Sequence, residues 1–548
     1  MYLISSCDFR ETNDNVLEGV AYHSSGLLFY TSGLKAFESS GGKCKDLQEG
    51  RFLIKYKDKD DFVLRTDSEG NELAFYYSSG DFWCVSNSFL GLVAFLEKKS
   101  YRLTASRLEL AKMFVNTSLF EQAYSNNLPI EEISILDVNE EIRISEGAFK
   151  VCSREETTLP ETFKENDSFV CRLSNFIQSS RRIIAGLADK FDVDLELSGG
   201  VDSRIILGLA LPCHDKLNVS SNKMKEKDYI IAKALSRSFG LNINKNRRDN
   251  FGRQDIFRKW ILYKLANVGV SRTNPLPNGA SGTKFSQKAR LNGGGGENVK
   301  AFYNPDIKAY FNVVDRSILS QELKSEIKKD LDFYLNKQGY SLNPNQAMVR
   351  IYSKYRQRFF AGRAWYHALT GIVYAPMASS SYKSLLFAED IEVFFGLNRE
   401  EIISRNLIQL LLLYLLNPVL ALAQFDEEKK KFPLSDIELI ENLIEKNKLD
   451  FPTDMSSLSV YGDVESRQVL PYWLEEESDI ALKSANSYDV LITNDIEGVI
   501  GKIQKLMIID ENELAGLQER LISNSLTKIE KLSLIHISEI MKRASSYS

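Results

Sequence analysis

The nine residues Leu195-Glu-Leu-Ser-Gly-Gly-Val-Asp-Ser203 constrain this chain more than any other segment. They read as a short apolar strand that enters a glycine turn and then a helix beginning near Asp202. Two adjacent glycines let the backbone turn tightly and approach an anion, because no Cβ stands in the way. Ser198, Ser203 and the free N–H groups of the new helix supply donors, and the helix dipole favours negative charge at that end. A carboxylate within such a loop repels phosphate unless a cation offsets it, so Asp202 implies a divalent ion that bridges to the phosphates. The unit predicts nucleotide pyrophosphate chemistry. It is not a Walker loop, which needs Lys then Ser or Thr after its last glycine; Arg204 follows Ser203 here.

The rest of the composition narrows the class. A chain of 548 residues predicts two or more domains. A formal charge of −5 argues against a nucleic-acid surface, and the cluster Lys223 to Lys227 is too short to reverse that. Six cysteines (Cys7, Cys44, Cys84, Cys152, Cys171, Cys213) form no CxxC pair, which suggests neither zinc nor a disulfide framework. The four histidines form no HExxH-like group, so a zinc hydrolase or a Ser-His-Asp enzyme is unsupported. The first residues lack a basic region followed by an apolar run, as a signal peptide would have. Leu410 to Leu416 is too short for a membrane span and predicts a buried helix. These features predict a cytoplasmic protein with no membrane and no nucleic-acid partner.

Residues 1–155 predict a β-rich unit. Gly26-Leu-Leu-Phe-Tyr, Arg51-Phe-Leu-Ile-Lys-Tyr, Phe62-Val-Leu-Arg, Leu73-Ala-Phe-Tyr-Tyr and Asp81-Phe-Trp-Cys-Val are separated by turn residues. Helices are expected at Leu90 to Glu97 and Ala105 to Phe114. A charged linker with Pro160 covers 155–165, and a second domain covers 166–548. There a helix from Phe169 to Phe191 precedes the glycine loop, and helices Ser203 to Leu211 and Asp228 to Phe239 alternate with strands Leu217-Asn-Val-Ser and Leu241-Asn-Ile-Asn. That alternation predicts a parallel sheet with ligands at its carboxyl edge. From about 300 the pattern is mostly helical, and the charge-rich stretch 426–470 predicts a mobile loop or lid.

Ser198 to Ser203 is similar to the PP-loop of ATP pyrophosphatases, which split ATP between the α- and β-phosphates. The order of motifs resembles the asparagine synthetase family, including its β-lactam synthetase and lasso-peptide cyclase branch. Val63-Leu-Arg-Thr-Asp67 with Leu73-Ala-Phe-Tyr-Tyr77, Val85-Ser-Asn-Ser-Phe-Leu and Ile130-Glu-Glu-Ile-Ser-Ile-Leu-Asp resemble its class II amidotransferase-type domain. Arg290-Leu-Asn-Gly-Gly-Gly-Gly-Glu297 resembles its second nucleotide loop, roughly 90 residues after the first; taken alone, Gly293 to Gly296 fits a flexible turn better. Tyr374-Ala-Pro376 through Asn417-Pro418-Val-Leu resembles its helical part.

The resemblance implies an α+β amidotransferase-like sandwich of antiparallel sheets and helices, followed by an α/β PP-loop domain with a parallel sheet and a helical end. It implies ATP and Mg²⁺ as cofactors, with Asp202 and Glu297 as metal ligands. Ser198, Gly199, Gly200, Asp202 and Ser203 would hold pyrophosphate, and Leu197, Val219, Asn292 and Gly293 would meet adenosine. One of Lys429, Lys430 and Lys431 would face an adenylated intermediate, although a solvated charge run explains these lysines equally well. The substrates would be a small-molecule or peptide carboxylate and an amine or ammonia, in bacterial peptide, natural-product or polysaccharide modification. A homodimer or a complex with a pathway partner is left open.

Three departures weigh on this. The family's cysteine nucleophile after the initiator methionine is Tyr2, whose phenol cannot replace a thiolate, and Cys7 is expected to be a buried structural thiol. The acid/base position of the second loop is Gly294, and an acidic position further on is Ser379. The primary reading is therefore an AMP-forming ligase without glutaminase activity, with Tyr303, a group in the neighbourhood of Glu297 or a lysine of 429–431 as substitute proton acceptor. An ammonia-using asparagine synthase and a non-catalytic ATP-binding scaffold are the alternatives; a tRNA-modifying PP-loop enzyme would want a basic face or paired cysteines.

Overall fold

The computed structural model of the chain describes residues 3–7, 14–121, 124–154, 168–244, 288–359, 371–451, 456–464, 500–523 and 525–547. The alternating segments of the first part pair into two sheets. The larger runs Ala148–Ser153, Glu140–Ser145, Asp61–Thr66, Glu49–Asp58, Val16–His23, Gly26–Phe29 and Ser459–Tyr461. Its pairs are antiparallel except the last, where Ser459–Tyr461 lies parallel to Gly26–Phe29. The smaller sheet runs Leu3–Ser5, Phe82–Ser86, Phe75–Ser79 and Ser134–Ile135, all antiparallel. Ile4, Trp83 and Val85 of the smaller sheet are buried together with Leu53, Leu64 and Ile142 of the larger, so an apolar layer joins the two.

Strand alternation sends the other residues of the large sheet the opposite way. Val20, Tyr22, Leu27 and Phe29 share a core with the second half of the chain, including Phe169, Phe176 and Ile184 of the helix Phe169–Lys190. Ser168 caps that helix by accepting from the Cys171 N–H at 3.2 Å. Gly186 lets it press on the sheet: a Cβ there would stand 2.9 Å from Leu27 Cδ1. The second half is built on four parallel strands in the order Leu217–Ser220, Asp192–Glu196, Lys288–Leu291, Ile372–Tyr374. The protein is thus a mixed α/β chain: antiparallel sheets first, then a parallel four-stranded sheet with helices, then a helical C-terminal part.

The helix Leu407–Leu416 carries no charge and buries nine of its ten residues, as its all-round apolar sequence requires. Among the described residues, no helix is long and apolar enough to cross a membrane.

Three expectations are corrected. Leu241 to Asn244 is not a strand. After Gly240, at φ +69°, the chain turns, and the Asn244 side chain closes on the backbone of Ser221 instead of extending the sheet. The segment 426–470 is not a free lid in its described part. Leu434–Asn447 is a helix that buries Ile440 and Leu443 and pairs Asp436 with Arg405 at 2.5 Å, and Ser459–Tyr461 completes the large sheet; residues 452–455 and 465–470 lie outside the described residues. Cys7 is exposed rather than buried. Tyr2 lies outside the described residues.

Candidate functional site

The strand order puts the first parallel strand, Asp192–Glu196, between the second and the third, so the chain leaves in opposite directions on its two sides. Such a switch point opens a crevice at the carboxyl edge of the sheet. Val193 and Leu195 are buried while Asp192 and Glu196 are exposed, and Leu197 turns in last, its N–H donating to the Ser220 carbonyl at 2.8 Å. The glycine turn follows, and the helix Val201–Ala210 begins with Gly200 as its N-cap and Asp202 in its first turn.

The loop is held by its own serines. Ser203 Oγ accepts from the Ser198 N–H at 3.1 Å, Ser198 Oγ accepts from the Gly200 N–H at 3.2 Å, and the two hydroxyls lie 3.0 Å apart. The Gly199 N–H donates to Asp228 Oδ1 at 3.1 Å. A carboxylate oxygen thus rests on a loop amide, and this N–H already donates to an anionic partner. Arg204, the residue that breaks the Walker pattern, anchors the loop from below. Fully buried, it donates to the carbonyls of Leu420 and Ala423 at 2.9 Å, of Gly199 at 3.3 Å, and of Gln424, with its guanidinium 3.7 Å from the centre of the Phe425 ring. Burial lowers its pKa to about 10, opposed by Asp426, and the guanidinium stays charged at neutral pH.

The second loop leaves the neighbouring strand at the same edge. Val219 is buried, and the Asn292 N–H donates to the Tyr374 carbonyl at 2.9 Å. Glycine is required where this turn meets the first one. A Cβ on Gly293 would stand 3.2 Å from Asp202 Cβ, and one on Gly296 would stand 2.2 Å from Asp202 Oδ1. Gly295 adopts φ +93° against the Met377 carbonyl. Asn298, buried, pins the turn through the Met377 carbonyl at 2.8 Å, Gln357 and the Ser353 hydroxyl. All nine expected nucleotide-contact residues therefore belong to the two loops and strand ends at this edge, with Gly293 and Gly296 packed on Asp202.

Asp202 and Glu297 are brought together, each within the other's field. The cation beside Asp202 belongs to the protein. Lys300 Nζ donates to Asp202 Oδ1 at 2.8 Å and Oδ2 at 3.1 Å, and Gln409 Nε2 donates to Oδ1 at 2.8 Å. The Tyr352 hydroxyl donates to Glu297 Oε2 at 2.7 Å. Burial and the Asp202 charge push Glu297 above the usual carboxylate range, against Lys300 and Tyr352. Burial acts against the Lys300 ammonium, but Asp202 and Glu297 outweigh it and hold its pKa above the ordinary lysine value. Among the described residues, no group of three or more His, Cys, Asp or Glu side chains could hold a metal ion. With an ammonium, a carboxamide nitrogen and a phenol already donating to the two carboxylates, the donor set does not fit a resident Mg²⁺.

The three candidate lysines separate. Lys430 Nζ lies 2.6 Å from Asp426 Oδ2, and Asp426 packs on the loop closely enough that a Cβ on Gly199 would stand 2.6 Å from Asp426 Cβ. Lys430 also acts electrostatically on Lys300. Lys431 points away, 70% exposed and paired with Glu428 at 3.7 Å. The Lys429 side chain lies outside the described residues. Tyr303 is buried, which pushes its phenol up and makes it a poor proton acceptor. Ser379 is a helix N-cap, accepting from the Tyr382 N–H at 3.3 Å. Gly294 donates its N–H to the Asn292 side chain.

Lys300, Gln409, Tyr352, Asp228 and Arg204 were not anticipated as site residues. Two signals were present: Lys300 follows Glu297 by three positions in the same turn, and Gln409 is the one carboxamide in an otherwise apolar helix.

The chain matches no protein-family model and no curated protein.

Proposed function

We propose that the chain is an ATP-dependent, AMP-forming ligase of the asparagine synthetase-like kind, with an amidotransferase-like sandwich followed by a PP-loop domain. The observation that carries this reading is the meeting of the Ser198–Ser203 loop and the Asn292–Glu297 turn over Asp202, at the carboxyl edge of a parallel sheet. In the proposed reaction a substrate carboxylate oxygen attacks the α-phosphorus of ATP, and the bond to the β-phosphate oxygen breaks to release pyrophosphate. An amine or ammonia then attacks the acyl carbon, AMP leaves with the C–O electron pair, and the surplus proton passes to solvent or a base.

The roles follow from the charges. Developing negative charge on the departing pyrophosphate needs fixed donors and cations. Ser198, Ser203 and the amides of Gly199 and Gly200 are the donors, and Asp228 would yield the Gly199 amide to a phosphate oxygen. Lys430 suits a cation better than a base, because Asp426 and Glu427 outweigh its burial and raise its pKa. A divalent ion would arrive with the nucleotide as part of the substrate.

A second reading, an ATP-binding scaffold without turnover, is favoured by Asp228 and Asp426, two carboxylates set against Gly199. Pyrophosphate exchange with ATP over pools of carboxylic acids separates the two. Acid-dependent exchange above the level of the Asp202→Asn variant supports the ligase. Nucleotide binding without exchange across the panel supports the scaffold, and no nucleotide binding removes both.

A further inference from the structure

The Asp202 carboxylate poses a problem that the loop alone does not solve: it lies in the first turn of the helix whose N-terminus is to receive phosphate. In solution chemistry the remedy is a divalent ion, which Mg²⁺ sites supply with one or two carboxylates and the phosphates themselves. This chain offers a different remedy. Lys300 Nζ bridges both oxygens of Asp202 at 2.8 and 3.1 Å, and its side chain retains 20% exposure. Gln409 turns its amide nitrogen toward the same carboxylate, the orientation of a donor.

The ammonium is placed by more than attraction. Gly296–Asn298 is a tight helical turn, and Asn298 is fixed from three sides by Met377, Gln357 and Ser353. Val299, next along, is buried. Lys300 therefore leaves an immobilised backbone one residue beyond a buried anchor, and little conformational freedom remains to be lost when it pairs with Asp202.

We infer that Lys300 is the built-in counter-cation of the loop, paired with Asp202 in the field of Glu297 and taking the role that a divalent ion would otherwise take, so that retention of a nucleoside triphosphate does not require a metal. The inference rests on the nucleotide reading above for the identity of the anion, but not for the role of Lys300 toward the two carboxylates. Charge-assisted bonds to phosphate are the strong ones, and a fixed ammonium beside the loop supplies them without chelation.

Two titrations on the full chain test it. In the first, ATP is titrated calorimetrically in excess EDTA and again in excess Mg²⁺. The wild-type affinity is expected to agree within about threefold between the two. Lys300→Met is expected to lose about tenfold or more in EDTA, the loss of one charge-assisted contact, and to recover with Mg²⁺, while Lys300→Arg keeps binding in EDTA. In the second, Mn²⁺ alone is added and followed by its electron paramagnetic resonance signal. Wild type is expected to leave Mn²⁺ free, Lys300→Met to bind it, and Lys300→Met with Asp202→Asn to lose it again.

Wild-type ATP binding that collapses in EDTA, or wild-type binding of Mn²⁺ alone, overturns the inference and leaves the nucleotide reading standing. No ATP binding in either buffer, with Mn²⁺ captured only by Lys300→Met, removes the nucleotide reading and sustains the role of Lys300. If Lys300→Met does not fold, the two wild-type titrations still decide.

Discussion

The carboxyl edge of the parallel sheet and the seam beneath the large antiparallel sheet both bury negative charge, and they neutralise it differently. At the edge, Lys300 pairs with Asp202 and lies in the field of Glu297. At the seam, Glu49, Asp67 and Glu69 gather where the large sheet meets the helix Ser380–Leu386. Lys383 of that helix pairs with Glu69, and Asp67 accepts backbone N–H groups from Asn71 and Glu72 at 2.9 Å. No cation contacts Glu49 directly in the bonds described; it accepts the Ser380 N–H at 3.1 Å and the Ser380 hydroxyl. Burial, then the charges of Glu69 and Asp67, push its pKa to about 8, and burial pushes Asp67 to about 6. The edge is balanced by an ammonium fixed in place, the seam partly by protons. The seam's balance therefore shifts as those carboxyls titrate near neutrality.

The largest effect is expected where the edge is closest packed. Gly295→Ala would place a Cβ 2.4 Å from the Met377 carbonyl at a left-handed φ, and about 3 kcal/mol or more of stability should be lost in urea unfolding. A loss under 1 kcal/mol would mean that the two loops can part cheaply.

Asp202→Asn tests the ammonium balance itself. It leaves a mostly buried Lys300 without its carboxylate, a loss of about 2 kcal/mol once the partial exposure of both side chains is allowed for. The double variant Asp202→Asn with Lys300→Met should recover most of that, and simple additivity would show that the pair is not coupled.

The seam is tested by pH. A carboxyl group whose pKa is raised on folding stabilises the native state below its ordinary value, and that contribution fades as pH rises through the folded value. Wild-type stability is therefore expected to fall between about pH 5 and pH 8, with Glu49→Gln flattening the upper part of the fall and gaining about 1–2 kcal/mol at the alkaline end. Parallel curves for the two proteins would contradict a protonated Glu49.

The smallest contrast lies among the lysines. Lys430→Ala should weaken ATP binding about tenfold, whereas Lys431→Ala, removing a 70% exposed side chain, should leave affinity and stability within about 0.5 kcal/mol of wild type. Equal effects would dissolve the distinction between them.

What local pattern could specify was readable. The strand, glycine turn and helix around Ser198, the amphipathic helix from Phe169, and the apolar helix at Leu407 each depend on contacts within a few residues, and each is found where periodicity places it. The strands Val16–His23 and Glu140–Ser145 were not singled out, because their apolar and polar residues alternate imperfectly on a sheet buried on both sides. Leu241 to Asn244 has strand composition, but Asn244 finds its partner at Ser221 and ends the segment as a turn.

By itself, the sequence determined that a helix N-terminus with paired glycines and a carboxylate would follow a buried strand. Only the tertiary structure decided what offsets that carboxylate. Lys300 and Gln409 lie 98 and 207 residues from Asp202, and Ser380 lies 331 residues from Glu49. A charge in a loop constrains its neighbours in the chain weakly, because any cation that packing brings within reach will serve. Which one arrives, an ammonium, a metal or a proton, depends on how distant elements close over the site, and no local pattern encodes that.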